Sequence, residues 1–474
     1  MSARGDASIA DLGRRLRARE LSPVTLVEDV LARIEQRRDL NAFLTVTADL
    51  ARAQAAEAER EISAGRYRGP LHGIPVSLKD LIDTRGIRTT YGSRIFAEHV
   101  PDRDAAVATR LRHAGAVLIG KTALHEFAYG VTNNNPHFGP TRNPWALDRI
   151  PGGSSGGAAA AVAAGLGAAS IGTDTGGSIR IPAAFCGVVG LKPGYGRVSR
   201  HGVFPLAWTL DHVGPLARTV EDAALLLGAI AGPDPRDPTT LGQRVPDFAA
   251  AVRRPVDGLC VGVLDDPLHR EAAPSVRAAF EEACEVLRVL GLRLEPVAFP
   301  RPEDARTAQL TVMMPEAASI HEPWLDARPE DYGPGTLALL RQGVFITAAQ
   351  YLRAQKVRGL IVDEVDALLA SRVALISPTV PITAPAIGQE TVTLGGRSQD
   401  ARGVISRATR LINLVGLPAI SVPCGFDGEG LPVGLQIVGR RLDEPSVIAI
   451  AAAYERATAW HQRRPPEAAP GTSS

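Results

Sequence analysis

Apolar positions along the chain alternate between a helical and an extended rhythm. Residues 8–62 read as helical. Ser22 and Pro23 form an N-cap followed by proline at the first helical position. Leu26, Val27, Val30, Leu31 and Ile34 then fall on one helical stripe. The segment GIPVSLKDLID, from Gly73, predicts a short apolar strand ending in a turn. AVATRLRHAG predicts a helix, and AVLIGKT a strand entering a loop. GGAAAAVAAGLG predicts a tightly packed helix, and AASIGTDT a strand. The Pro- and Asp-rich stretch 232–248 reads as an exposed excursion. CVGVLDD, a helix near 272–291 and RLEPVAF resume the alternation. Residues 301–360 read as mainly helical and carry the pair Met313-Met314, and ALISPTVPITAP and GLPAISVPCG return to the core. This order predicts an α/β fold with helices on both faces of one sheet.

Composition narrows the picture. The chain has 474 residues, enough for one large domain or about three average ones. No repeat or clear linker divides it, so one domain is expected over 1–465, with residues 466–474 as a disordered tail. Apolar residues make up 45%, ample for a substantial core. The net charge of +1 gives no support for a nucleic-acid or membrane-surface partner. Four scattered cysteines, Cys186, Cys260, Cys284 and Cys424, fit neither a disulfide scaffold nor a zinc knuckle. Gly156–Thr173 is uncharged but mostly Ala and Gly, too weakly apolar to span a bilayer. The N-terminus lacks the apolar core of a signal peptide, and a cytoplasmic location is expected.

Only Lys79, Lys121, Lys192 and Lys356 are lysines, while 48 residues are arginines. A basic side chain that must lose its proton has to be lysine, because arginine keeps its charge. Lys79 ends the apolar stretch from Gly73. Ser154 and Ser178 lie in separate glycine-rich turns, where no neighbouring side chain crowds a hydroxyl. Thr175, Gly176 and Gly177 offer a run of backbone amides suited to an oxyanion. Together these residues point to acyl transfer by a serine that a neutral lysine activates.

The segments GIPVSLKD (73–80), PGGSSGG (151–157) and GTDTGGSIRIPA (172–183) resemble the amidase signature family. The likeness runs from about residue 8 to about residue 460. It implies a single large α/β/α sandwich with a mixed central sheet. It also implies N-terminal helices at 8–62, a catalytic core at about 70–220 and a specificity region at about 300–400. The triad it implies is Lys79, a cis-peptide Ser154 and the nucleophile Ser178, acting on a small-molecule amide; no cofactor is expected, and the ten histidines show no HExxH or similar spacing, so no metal is expected. It places LHEFAYG, with His125, Tyr129 and Gly130, along the substrate pocket. Ser155 either packs or bonds within the site, and Asp174 either orients neighbours or forms a turn. Arg180 reads better as half of a structural ion pair than as a carboxylate holder.

Within that family a stand-alone amidase is the first expectation, and the glutaminase subunit of the tRNA-dependent amidotransferase the alternative. His212 stands where that subunit typically has glutamine. The stretch ALLRQGVFITAAQYLRAQKVR also reads as lacking the arginine that would meet the glutamine α-carboxylate. A Ser-His-Asp hydrolase using His212 or His201, or an inactive scaffold, is a minor alternative. The P-loop pattern at Gly115–Thr122 has Ala-Val-Leu-Ile where a phosphate cradle should be, so it reads as a strand. Cys186 reads as a small core residue. A homodimer is the default assembly.

Overall fold

The computed structural model describes residues 7–467. Residues 468–474 fall outside it, and with them most of the expected disordered tail.

Fifteen strands are described: β1 (Phe43–Val46), β2 (Pro75–Lys79), β3 (Val117–Thr122), β4 (Asn134–Asn135), β5 (Gly139–Pro140), β6 (Ala169–Asp174), β7 (Val189–Lys192), β8 (His212–Ala217), β9 (Cys260–Leu264), β10 (Arg293–Val297), β11 (Ala374–Pro378), β12 (Thr391–Leu394), β13 (Arg397–Asp400), β14 (Ala419–Phe426) and β15 (Pro432–Gly439). Eleven of them form one sheet in the order β1-β3-β2-β6-β8-β7-β14-β15-β11-β9-β10. The sheet is mixed: β2 runs parallel to β3 and β6, whereas β8 runs antiparallel to β6 and β7. The α/β class and the mixed sheet expected from the sequence are therefore found.

Every residue of β2, β6, β8, β14 and β15 is buried or nearly so, as strands covered on both faces require. The Ala-rich helix Gly156–Ala163 is buried along its whole length. Its small side chains allow close approach to the sheet. A Cβ on Gly157 would lie 2.5 Å from the carbonyl oxygens of both Ala42 and Ala123. The excursion at 232–248 is less exposed than expected, because Asp234 and Asp237 are buried. Asp234 accepts from Ser199 Oγ at 2.8 Å, and Asp237 from the Arg200 amide at 2.8 Å.

The N-terminal region corrects one expectation. Helices Ile9–Arg17, Pro23–Gln36 and Ala48–Ser63 form as read, but β1 interrupts them. It pairs antiparallel with β3. Four residues with a helix close behind carry too little period-two signal to stand out. The predicted Ser22 cap is present and accepts from the amides of Val24 and Thr25, an arrangement worth about 1 kcal/mol.

Candidate active site

The ends of β2 and β6 and the loop before the helix Gly156–Ala163 converge on one buried site. Lys79 is the last residue of β2, between β3 and β6, and has no exposed surface. Its Nζ donates to Ser154 Oγ and to Thr173 Oγ1, each at 2.7 Å. No carboxylate pairs with it among the described residues. Burial lowers its amine to about 7, against the opposing pull of the Asp174 and Asp211 charges.

Ser154 follows a cis Gly153–Ser154 peptide and precedes the helix Gly156–Ala163. Ser178 lies between β6 and the helix Arg180–Cys186. At 6% exposure it is the most accessible of Lys79, Ser154 and Ser178. Its side chain forms no hydrogen bond to Ser154 within the described residues. The sequence-predicted triad residues are thus brought to one place, with the lysine–serine contact made.

Asp174 organises the Ser178 loop. Its carboxylate accepts from the amides of Gly177 at 2.8 Å and Ile179 at 3.1 Å. It also pairs with Arg180 at 3.0 Å and accepts from Asn413 Nδ2 at 2.8 Å. Burial pushes this carboxyl up, but Arg180 outweighs it and holds the group well below the usual range. Asp174 therefore both forms the turn and orients its neighbours. Arg180 is a structural ion pair as read, and it also donates to Gln436 Oε1, Asn413 Oδ1 and the Thr409 carbonyl.

Gly177 needs to be glycine: its φ is +128°, and a Cβ would lie 2.2 Å from Thr409 Oγ1. Its amide, however, is already given to Asp174. This corrects the expected oxyanion set. Thr175 and Gly176 keep amides with no acceptor among the described residues, and Gly177 serves the turn. Thr175 donates its hydroxyl to Asp211 at 2.6 Å.

Ser155 takes the packing role of its two readings. It is fully buried, its Oγ donates to the Thr173 carbonyl at 3.2 Å, and it accepts from the Thr173 amide at 3.3 Å. It ties the Ser154 loop to β6 and spends its hydroxyl there rather than on a substrate. Gly130 packs against His125, where a Cβ would lie 2.2 Å from Nε2. Tyr129 is 4% exposed, and its hydroxyl has no hydrogen-bond partner among the described residues. Burial, then the charges of Arg402 and Lys79, lower His125 to about 3. A cavity of about 250 Å³ adjoins the site and is lined by Thr173, Thr175, Phe204, Trp208 and Asp211 among others.

The Ser-His-Asp alternative finds no geometry. His212 Nδ1 faces the carbonyls of Leu210 at 2.7 Å and Asp174 at 3.2 Å. Among the described residues no histidine side chain bonds either serine. Burial lowers His212 well below its ordinary value, so it is neutral. The P-loop match is β3, as read, and Cys186 is a buried core residue, as read. Among the described residues no three His, Cys, Asp or Glu side chains are grouped to hold a metal. None of the described helices is long and apolar enough to cross a membrane. Sequence reasoning missed Thr173, Gln309 and Arg410. Gln309 and Arg410 reach the site from helices far away in sequence, without a local motif.

Fold and site together define an amide-cleaving hydrolase of α/β architecture. The chain belongs to the amidase family, whose model, described as Amidase, matches residues 25–448. It is 41% identical to the A-subunit of the glutamyl-tRNA(Gln) amidotransferase of Thermosynechococcus vestitus, over 96% of this chain and 99% of that relative. Among solved structures, one from a vestigial protein complex bearing on the origins of an s-triazine catabolic enzyme superposes with a TM-score of 0.91. It is 37% identical and covers 95% of this chain and 98% of its own. The native peptide amidase of Stenotrophomonas maltophilia gives 0.86 at 36% identity, with 98% of both chains covered.

Proposed function

We propose that Ser178 is the nucleophile, Ser154 the proton relay and Lys79 the base of an acyl-enzyme amidase. The observation that carries this is the buried Lys79, bonded to Ser154 and lacking a carboxylate partner among the described residues. Neutral Lys79 accepts the Ser154 proton as Ser154 takes the proton of Ser178. Ser178 Oγ then attacks the amide carbonyl. The free amides of Thr175 and Gly176 meet the oxyanion, a contribution of about 3 kcal/mol per donor. Ser154 passes a proton to the leaving nitrogen, the C–N bond breaks, and water hydrolyses the acyl-enzyme.

The curated relatives favour the glutaminase-subunit reading over the stand-alone amidase, and we assign the amide of glutamine as the first substrate to test. A stand-alone amidase is the second reading. Its support is that Arg358, at the end of the segment 338–358, spends its guanidinium on the carbonyls of Leu414 and Thr209. We further propose that the protein is a single domain, which the continuous eleven-stranded sheet supports, and that it acts in the cytoplasm. A partner subunit fits the first reading, and a homodimer the second.

The test is a fluorophosphonate probe followed by peptide mapping. Labelling at Ser178 that disappears in Lys79→Ala supports the mechanism. Labelling at Ser154 contradicts it. Ammonia release from glutamine, measured with and without a partner subunit, separates the two readings of substrate.

A further inference from the structure

The helix Ala348–Leu369 turns one long strip of its surface to solvent. Ten large apolar side chains are exposed among the described residues, and four of them lie within residues 344–360. Val344 and Phe345 close the preceding helix, and Leu352 and Leu360, 60% and 59% exposed, stand on the helix itself. Apolar surface gathered on one element in this way marks a face that packs against something. Ala349, Leu352, Lys356, Gly359, Asp363 and Asp366 are all exposed and recur at alternating spacings of three and four. That is the seam of a helix that pairs with another helix, and it runs along most of the 22 residues.

Charges on the strip are sorted by sign. Arg353 and Lys356 occupy its first half, Asp363 and Asp366 its second. Within one chain this order gains nothing: each like-charged pair sits three residues apart, and acids towards the C-terminus oppose the helix dipole. Arg353, Lys356 and Asp363 have no ion-pair partner among the described residues, and Asp366 reaches only Arg441, at 3.6 Å.

The same order fits a second copy of the helix laid antiparallel about a two-fold axis between Gly359 and Leu360. Lys356 then faces Asp363 of the second copy, and Arg353 faces its Asp366. Symmetry makes each contact twice. Leu360 meets Gly359 of the other copy, and Leu352 meets Ala367. The glycine gains a reason by this pairing. Mid-helix glycine weakens a helix, and a Cβ on Gly359 would meet nothing within 4 Å in its own chain. Only a backbone approaching from outside calls for it. A membrane surface matches the strip poorly, because two carboxylates lie along it.

We propose that this strip is the interface of a homodimer, formed by antiparallel pairing of the helix Ala348–Leu369 with the same helix of a second copy. Its four ion pairs set the register. One helix against another buries about 1,000 Å², so a dissociation constant of about micromolar order is expected. The proposal gives a surface to the homodimer of the second reading above, and needs neither Ser178 nor a particular substrate. Failed labelling of Ser178 would leave the dimer standing, and a monomer would leave the catalytic assignment standing.

Sedimentation equilibrium of the full chain from about 1 to about 100 µM tests it. The parent should pass from monomer to dimer in that range. Lys356→Asp and Asp363→Lys each set like charges against one another twice, and each alone should weaken association about a hundredfold or more, with an unchanged melting temperature. Mixed in equal amounts, the two variants should form dimers again, because every facing pair in the mixed dimer is attractive. Should either variant not fold, Gly359→Tyr, which adds bulk at the crossing, should weaken association by itself. A parent that stays monomeric at about 100 µM overturns the proposal, and its sedimentation with vesicles of phosphatidylcholine and phosphatidylglycerol would give the strip to a membrane instead. A dimer that survives both charge reversals, or single variants that do not recover dimers on mixing, would overturn it equally.

Discussion

Lys79 and Lys121 occupy neighbouring strands, and both are completely buried. Their surroundings differ in one respect. Lys121 has a carboxylate, Asp80, at 3.4 Å, and donates to the Ile82 carbonyl and the Thr89 hydroxyl. Lys79 has only hydroxyls. Burial lowers both amines, but Asp80 directly opposes that shift at Lys121, whereas the acids opposing it at Lys79 act without contact. The same side chain, one strand apart, is ion-paired in one place and bonded only to hydroxyls in the other. A counter-ion within contact distance decides between them.

The comparison can be broken most severely at Lys79. Lys79→Arg keeps a cation but cannot release its proton, and Lys79→Met removes the amine. Each should reduce turnover about a thousandfold or more, as should Ser178→Ala. Measured kcat/KM within about tenfold of the parent for either Lys79 variant would refute the base assignment.

Lys121→Met tests the other half. It strands the buried Asp80 carboxylate, which should cost about 3–5 kcal/mol of stability. Denaturant unfolding measures this. If folded protein is recovered, labelling of Ser178 should keep the wild-type pH dependence.

A smaller effect follows from pH. In the proposed mechanism Lys79 acts as the neutral amine, and burial lowers that amine to about 7. Turnover should therefore fall about tenfold per unit as pH drops below that value, and level off above it. A flat profile from about pH 5.5 to 8 (chosen to bracket the amine by about one unit or more) would exclude Lys79 as the titrating base.

The smallest effect is expected at Ser155. Its hydroxyl only joins the Ser154 loop to β6, so Ser155→Ala should cost about 1 kcal/mol of stability and leave substrate preference unchanged. A selective rise in KM would restore it to the substrate pocket.

Which parts of this were legible beforehand follows from how each signal is written in the chain. Lys79, Ser154 and Ser178 announce themselves through local motifs: an apolar run for the lysine, glycine-rich turns for the serines. The strands β2, β3, β6 and β9 are visible as apolar runs between helical stripes. β1 is too short to register. Arg410 was hidden because an arginine on an amphipathic helix looks like any solvated charge until the helix is placed against Gly176. The Asp174 network was half visible: the ion pair with Arg180 lies within one motif, but Asn413 and Gln436 join it from the far end of the sequence.

The scarcity of lysine has a practical consequence. Three of the four, Lys79, Lys121 and Lys192, are enclosed, and only Lys356 is exposed. Amine-directed reagents such as succinimidyl esters therefore meet a single lysine side chain, on the helix Ala348–Leu369, besides the terminal amine. A dye or resin linkage made to a lysine is thereby confined to Lys356.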